Sequence, residues 1–210
     1  MRRILPILSS FLIVALALAA CSQAEAPPSA RPGTWAQPLH VKGISNLYRV
    51  SPVLYRSEQP EPEGLQALAK GEPLEPAAPP VKTVVSLREF HDKDGEVLDE
   101  KSSSVHYERV RFNPARPETE DVVRFLRIVT NPSRTPVLVH CEHGADRTGM
   151  MVAMYRIVVQ NWSKDDALAE MKEGGFGFHS VWLDIQSYVR DFDAESVRKQ
   201  VAAPEEAVQP

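Results

Sequence analysis

With 210 residues, 43% of them apolar, the chain is long enough for one domain with a sizeable core. Its 24 Lys+Arg stand against 28 Asp+Glu, a mildly acidic balance that argues against a general nucleic-acid binder, which carries a basic face. The only cysteines are Cys21 and Cys141.

The chain opens with Arg2 and Arg3. An apolar stretch follows over residues 4–17, broken by Pro6, Ser9 and Ser10, and leads into Leu18-Ala19-Ala20-Cys21. A basic start, a short apolar stretch and small residues predict a secretory signal over residues 1–20. The stretch is shorter than the roughly 20 apolar residues of a membrane span. Leu-Ala-Ala-Cys resembles a bacterial lipobox. That resemblance implies diacylglyceryl transfer to Cys21, cleavage before it, and a lipid-anchored, periplasm-facing position in the bacterial envelope. Ser22, where an Asp would favour the inner membrane, points to the outer one. Acylation of Cys21 leaves Cys141 alone in the mature chain. In an oxidising compartment, a lone thiol suggests chemistry rather than a structural bridge.

Residues 21–34, rich in Pro, Ala and Ser, predict a flexible linker from the lipid to a domain over residues 35–195. Residues 53–57 read as a strand. Pro62 opens a short helix through Leu65, Leu68 and Ala69, closed by Gly71. Residues 72–80, with four prolines, are a loop, and residues 81–87 the next strand. Asp92-Lys93-Asp94-Gly95 reads as a turn and residues 105–112 as a strand. Thr119 is expected to cap a helix with Val122, Val123, Leu126 and Val129 on its apolar face. Val137-Leu138-Val139-His140 is a short buried strand. Residues 148–160 are nearly continuously apolar and predict the buried helix of the domain. Ser163 begins a further helix with a capping-box-like Ser-Lys-Asp-Asp, ending at Gly174-Gly175. A last helix is expected over residues 181–192, followed by a polar, frayed tail over residues 196–210. Strands alternating with helices predict an α/β domain with a central sheet.

Between the buried strand and the buried helix lies His140-Cys141-Glu142-His143-Gly144-Ala145-Asp146-Arg147-Thr148-Gly149. Backbone N–H groups of residues 142–147 can curl around one anion, aided by the partial positive charge of the helix N-terminus. Gly144 lets the loop turn where a Cβ would obstruct. Cys141, at the strand end beneath the anion, has its thiolate favoured by the same groups. Arg147 offers a planar fork to two phosphoryl oxygens. His-Cys-x-x-Gly-x-x-Arg-Thr-Gly resembles the signature of the protein tyrosine phosphatase superfamily, Cys-(five residues)-Arg. Leu54-Tyr55-Arg56-Ser57-Glu58-Gln59-Pro60 and Val84-Val85-Ser86-Leu87-Arg88 are similar to segments of its small atypical dual-specificity members.

The resemblance covers roughly residues 45–192. It implies a three-layer α/β fold, with a mostly parallel central sheet between helices. It also implies hydrolysis of phosphate monoesters through a phosphocysteine on Cys141, with Arg147 and the amides of Glu142, His143, Gly144, Ala145 and Asp146 binding the phosphoryl group. Thr148 would assist loss of the thiolate in the second step and His140 would order the loop. No cofactor or metal is implied, and His40, His91, His106 and His179 read as ordinary residues.

The pattern breaks at the general acid. Most members carry an Asp about thirty residues before the Cys, whereas this region reads Arg111-Phe112-Asn113-Pro114-Ala115-Arg116-Pro117. Glu118, Glu120 and Asp121 look like the acidic first turn of the next helix. Asp146 is the other candidate, either as the acid or as an orienter of Arg147. Glu142 and Asp146 make the loop acidic, which favours a phosphoprotein, especially phosphotyrosine, over phosphoinositides, inositol phosphates or another small phosphate ester. Rhodanese-like sulfurtransferases also set a Cys between strand and helix but lack Arg-Thr-Gly at this spacing. A non-catalytic phosphate-binding lipoprotein would have no need of the thiol.

Overall fold

The computed structural model describes residues 32–90, 92–98 and 103–204. In chain order these form β1 (Gln37–Pro38), β2 (Tyr48–Ser51), β3 (Leu54–Ser57), α1 (Pro62–Ala69), β4 (Thr83–Ser86), α2 (Asp94–Val97), β5 (His106–Arg109), α3 (Thr119–Thr130), β6 (Val137–His140), α4 (Asp146–Val158), α5 (Lys164–Glu173), α6 (Leu183–Asp191) and α7 (Ala194–Ala202).

The strands make one sheet in the order β1-β2-β3-β6-β4-β5. The strands from β3 to β5 are parallel, and β1 and β2 add an antiparallel edge. The mixed sheet keeps the expected parallel centre. Every residue of β3, β4 and β6 is buried, as a parallel sheet covered on both faces requires. Alternation divides their side chains between two cores. Leu54, Val85, Val137 and Val139 face the core shared with α3 to α7, while Tyr55, Val84 and Leu138 join Leu65 and Leu68 of α1 on the other side. Three layers result. The register aligns Ser57 and Ser86 with His140, so the loops after β3, β4 and β6 emerge together at one edge.

That edge is where open parallel sheets bind ligands. It is held in place by α4, nearly all of which is buried. Each fully buried Met or Ile there contributes about 1.5–3 kcal/mol relative to exposure.

Ser163 caps α5 as expected, accepting from the Asp166 amide at 3.0 Å. Three other expectations are corrected. The segment read as a turn at residues 92–95 leads into α2, because Asp92 Oδ1 accepts from the Asp94 amide at 3.0 Å and organises the entry. Thr119 does not cap α3. It is the first helical residue, and its hydroxyl lies 2.9 Å from the Tyr188 hydroxyl. The polar tail is not frayed after residue 195, since α7 runs to Ala202. Asp193 caps α7, Val197 is buried, and Arg127 donates to Gln200 O at 2.8 Å. The signal at residues 1–20, Cys21 and most of the linker lie outside the described residues. Among the described residues, no helix is long and apolar enough to cross a membrane.

Candidate active site

Cys141 directly follows β6 and is only 2% exposed, at the foot of a loop that leads straight into α4. The carbonyls of residues 142 to 145 are all engaged on the outside of this loop. Gln59 N donates to Glu142 O at 3.2 Å, and Asn46 Nδ2 to His143 O at 2.9 Å. Arg56 Nη2 donates to Gly144 O at 2.6 Å and reaches Ala145 O at 3.5 Å, and Gly149 N donates to Ala145 O at 2.7 Å. In a trans peptide the N–H points opposite to the C=O. The amides of residues 143 to 146 therefore face the loop's interior. Gly144 makes the turn at φ +68°, and a Cβ there would lie 2.5 Å from the backbone of Ser57 and Glu58.

The buried supports of the loop come from distant parts of the chain. Arg56, from β3, is fully buried, and its guanidinium carbon lies 3.7 Å above the Phe176 ring. Burial lowers its pKa to about 10, while Glu170 and Cys141 beside it pull the other way, so it stays charged at neutral pH. Its Nε and Nη1 have no hydrogen-bond partner among the described residues. His140, also fully buried, has Nδ1 3.3 Å from Cys141 O and Nε2 2.8 Å from Asp94 Oδ2. Gln59 Nε2 holds the other oxygen of Asp94 at 2.6 Å. This makes α2 a support of the loop. Next to it, burial pushes Asp92 up, but hydrogen bonds from Ser86, Tyr107 and the Asp94 amide outweigh it and hold its carboxyl below the usual range.

Arg147 closes the loop, and its Nη1 donates to Leu87 O at 3.4 Å. Glu142 Oε2 lies 4.0 Å from Arg147 and 3.9 Å from Arg88, a second, largely buried guanidinium. Arg88 also donates to Gln59 Oε1 at 3.2 Å. Thr148 is fully buried, and its hydroxyl has no partner among the described residues.

The candidate acids part company. Glu118 accepts two bonds from Arg116, at 2.7 and 3.1 Å, and Glu120 lines a groove between α3 and α7. Asp121 is raised above its usual range by burial and by the neighbouring Glu118. Asp146 opens α4 with both oxygens occupied. The His179 amide donates to Oδ1 at 2.8 Å, and His179 Nδ1 donates to Oδ2 at 2.9 Å. His179 is therefore not an ordinary surface residue but belongs to the loop's surroundings. Arg56, Gln59, Arg88, Asp94 and His179 went unassigned from sequence. Arg56, Gln59 and Arg88 did lie inside the segments that carried the family resemblance.

A parallel-centred sheet, a Cys at the end of its central strand and an Arg-closed anion loop at a helix N-terminus define a cysteine-dependent phosphatase. Residues 45–190 match the model of the family described as DSP-PTPase phosphatase fused to NAD+ kinase, and the chain belongs to that family. It is 39% identical over 173 residues to the dual specificity protein phosphatase TpbA of Pseudomonas aeruginosa, covering 82% of this chain and 73% of that protein. A crystal structure of TpbA matches with a TM-score of 0.67 over 82% of this chain and 99% of the other, and one of a TpbA variant in complex with phosphotyrosine matches with a TM-score of 0.66. A shorter segment of 78 residues is 30% identical to an inositol diphosphatase of Saccharomyces cerevisiae, covering 37% of this chain and 27% of that one. The catalytic core of the yeast enzyme, at 23% identity, shares the fold with a TM-score of 0.60 over 76% of this chain and 93% of that one.

Proposed function

We propose that the enzyme hydrolyses phosphotyrosine in proteins, with Cys141 as nucleophile and Arg147 as the phosphate-binding fork. The observation that carries this reading is the outward engagement of four consecutive carbonyls, which turns the loop's amides inward above Cys141. In the first step the thiolate attacks phosphorus and the ester oxygen leaves. In the second, water displaces the thiolate from the phosphocysteine. The inward amides and Arg147 carry the charge that develops on the equatorial oxygens in both steps. The Thr148 hydroxyl, unpartnered among the described residues, is available to the departing thiolate in the second step. His140, with Nε2 2.8 Å from Asp94 Oδ2, has Nδ1 3.3 Å from the Cys141 carbonyl and packs beneath it.

Glu142 and Asp146 at the cradle disfavour a polyanionic ligand, and the TpbA complex with phosphotyrosine supports the same choice. The experiment is turnover of phosphotyrosine peptides, phosphoserine peptides, phosphoinositides and inositol phosphates by wild type and Cys141→Ser. Phosphotyrosine peptides should give the highest kcat/KM, with turnover absent in the variant. Preference for an inositol phosphate would replace the substrate assignment, and activity surviving in Cys141→Ser would end the nucleophile assignment.

We also propose that the domain is tethered to the bacterial envelope through a lipid on Cys21, on the strength of Leu18-Ala19-Ala20-Cys21. Labelled fatty acid should enter wild type and not Cys21→Ala. Unlabelled wild type would rule the tether out.

A further inference from the structure

Cleavage of a tyrosyl or alkyl phosphate needs a proton for the leaving oxygen. On the phosphatase reading of this site, on which this inference rests, the source of that proton is not where the family places it. Residues 111–117 contain no carboxylate. Glu118 is occupied by Arg116, and Glu120 faces the groove between α3 and α7. Asp146 is next to Arg147, but both its oxygens already accept hydrogen bonds from His179. Oδ1 is held by the amide and Oδ2 lies 2.9 Å from the ring, so both oxygens are engaged with His179.

The same two bonds define a different donor. We propose that His179, oriented by Asp146, gives the proton to the leaving oxygen. The carboxylate accepts a hydrogen bond from Nδ1–H of the protonated ring, which fixes the ring's orientation and leaves Nε2–H as the proton to be given. A proton-transferring imidazole held by a carboxylate is a general catalytic arrangement. The surroundings fit the task. Asp146 is 12% exposed and His179 57%, so the anchor is buried and the ring stands open beside the cradle. The segment carrying His179 is seated on the loop. Asn46 Nδ2 ties His143 O and Phe176 O together at 2.9 and 3.0 Å, and a Cβ on Gly177 would lie 4.0 Å from that of Ala145. The His143 ring meets the His179 ring edge-on, with centroids 6.1 Å apart.

The proton balance closes over the two steps. In the first, the S–P bond forms, the P–O bond breaks, and the Nε2 proton moves to the departing oxygen. In the second, Nε2 takes a proton from the attacking water, the new P–O bond forms, and the thiolate is released. Asp146 is then a positioning residue and His179 a catalytic one.

The test compares two esters, phenyl phosphate and the activated nitrophenyl phosphate, with wild type, His179→Ala, His179→Gln, Asp146→Asn and Asp121→Asn. Only the poor leaving group needs the proton. Kcat for phenyl phosphate should fall on the order of 100-fold or more in both His179 variants, as expected for loss of a general acid. The nitrophenyl ester should change by less than about five-fold. Asp146→Asn should show the same split with a smaller loss. Thermal unfolding of both His179 variants shows whether loss of the ring's bond to the buried Asp146 oxygen disturbs the fold, and only folded variants are compared. Asp146→Asn supplies the same readout without removing the ring.

Equal losses on both esters would overturn the proposal and leave His179 as a loop anchor. Unchanged activity would overturn it as well. A split confined to Asp121→Asn would move the acid to α3. Failure of wild type to hydrolyse either ester, or activity surviving in Cys141→Ser, would instead break the phosphatase reading beneath it.

Discussion

On its sheet side the phosphate loop is held by buried groups: Arg56 on two carbonyls, Asp94 behind His140, and the Ser57–Glu58 backbone against Gly144. On its solvent side the partners are open and looser. Glu142 sits about 4 Å from two guanidiniums, and His179 stands more than half exposed. The difference separates two tasks. The buried side sets the shape of the cradle, where a displacement of 1 Å can cost roughly 100-fold in rate. The open side meets the rest of the substrate, where the loose ion pairs of Glu142 contribute little and His179 alone is given a step in the chemistry.

The comparison breaks hardest at Arg56. Arg56→Met leaves the Gly144 carbonyl without its buried donor, a loss of about 1.5–3 kcal/mol for a bond from a charged group. Kcat should fall about 100-fold, and the thermal midpoint should fall with it. Arg56→Lys keeps the charge but not the planar fork over Phe176, so its kcat should lie between the two. Steady-state kinetics and thermal unfolding of the pair check both statements. A near-wild-type kcat in Arg56→Met would show that the loop holds its shape without this support. The smallest effect belongs to the rim. Glu142→Gln removes an anion that competes with the substrate for Arg88 and Arg147. KM should drop about two- to three-fold with kcat unchanged, within the 0–1 kcal/mol of exposed pairs. The drop should shrink as salt is added. A fall in kcat would give Glu142 a place in the chemistry.

How far the site can be read from sequence follows the same division. Cys141, Arg147 and Thr148 are legible because the loop is continuous, and a strand–loop–helix passage dictates what each residue faces. β6 and α4 are legible because both are buried on all sides and read as apolar runs. Arg56 and Asp94 reach the loop only through the strand order, which sets β3 and β4 on either side of β6. No local pattern announces that. His179 looks like any loop histidine until the segment between α5 and α6 folds back onto Asp146. The helix α7 is hidden for another reason. A single buried residue, Val197, gives it too thin an apolar stripe to stand out from a charged tail. The entry to α2 depends on an Asp side chain bonding two residues ahead, a pattern shared with simple turns.

The middle of α7 bears on the field at the phosphate cradle. Arg198 donates to Ile157 O at 2.8 Å and to Val158 O at 3.1 Å, the last two carbonyls of α4. A helix carries equal and opposite partial charges at its two ends. Here the negative pole of α4 is covered by a guanidinium from α7, while the positive pole is shared between the loop and the Asp146 carboxylate in the first turn. Seen from a bound phosphate, the far pole of α4 is masked and only the near one acts.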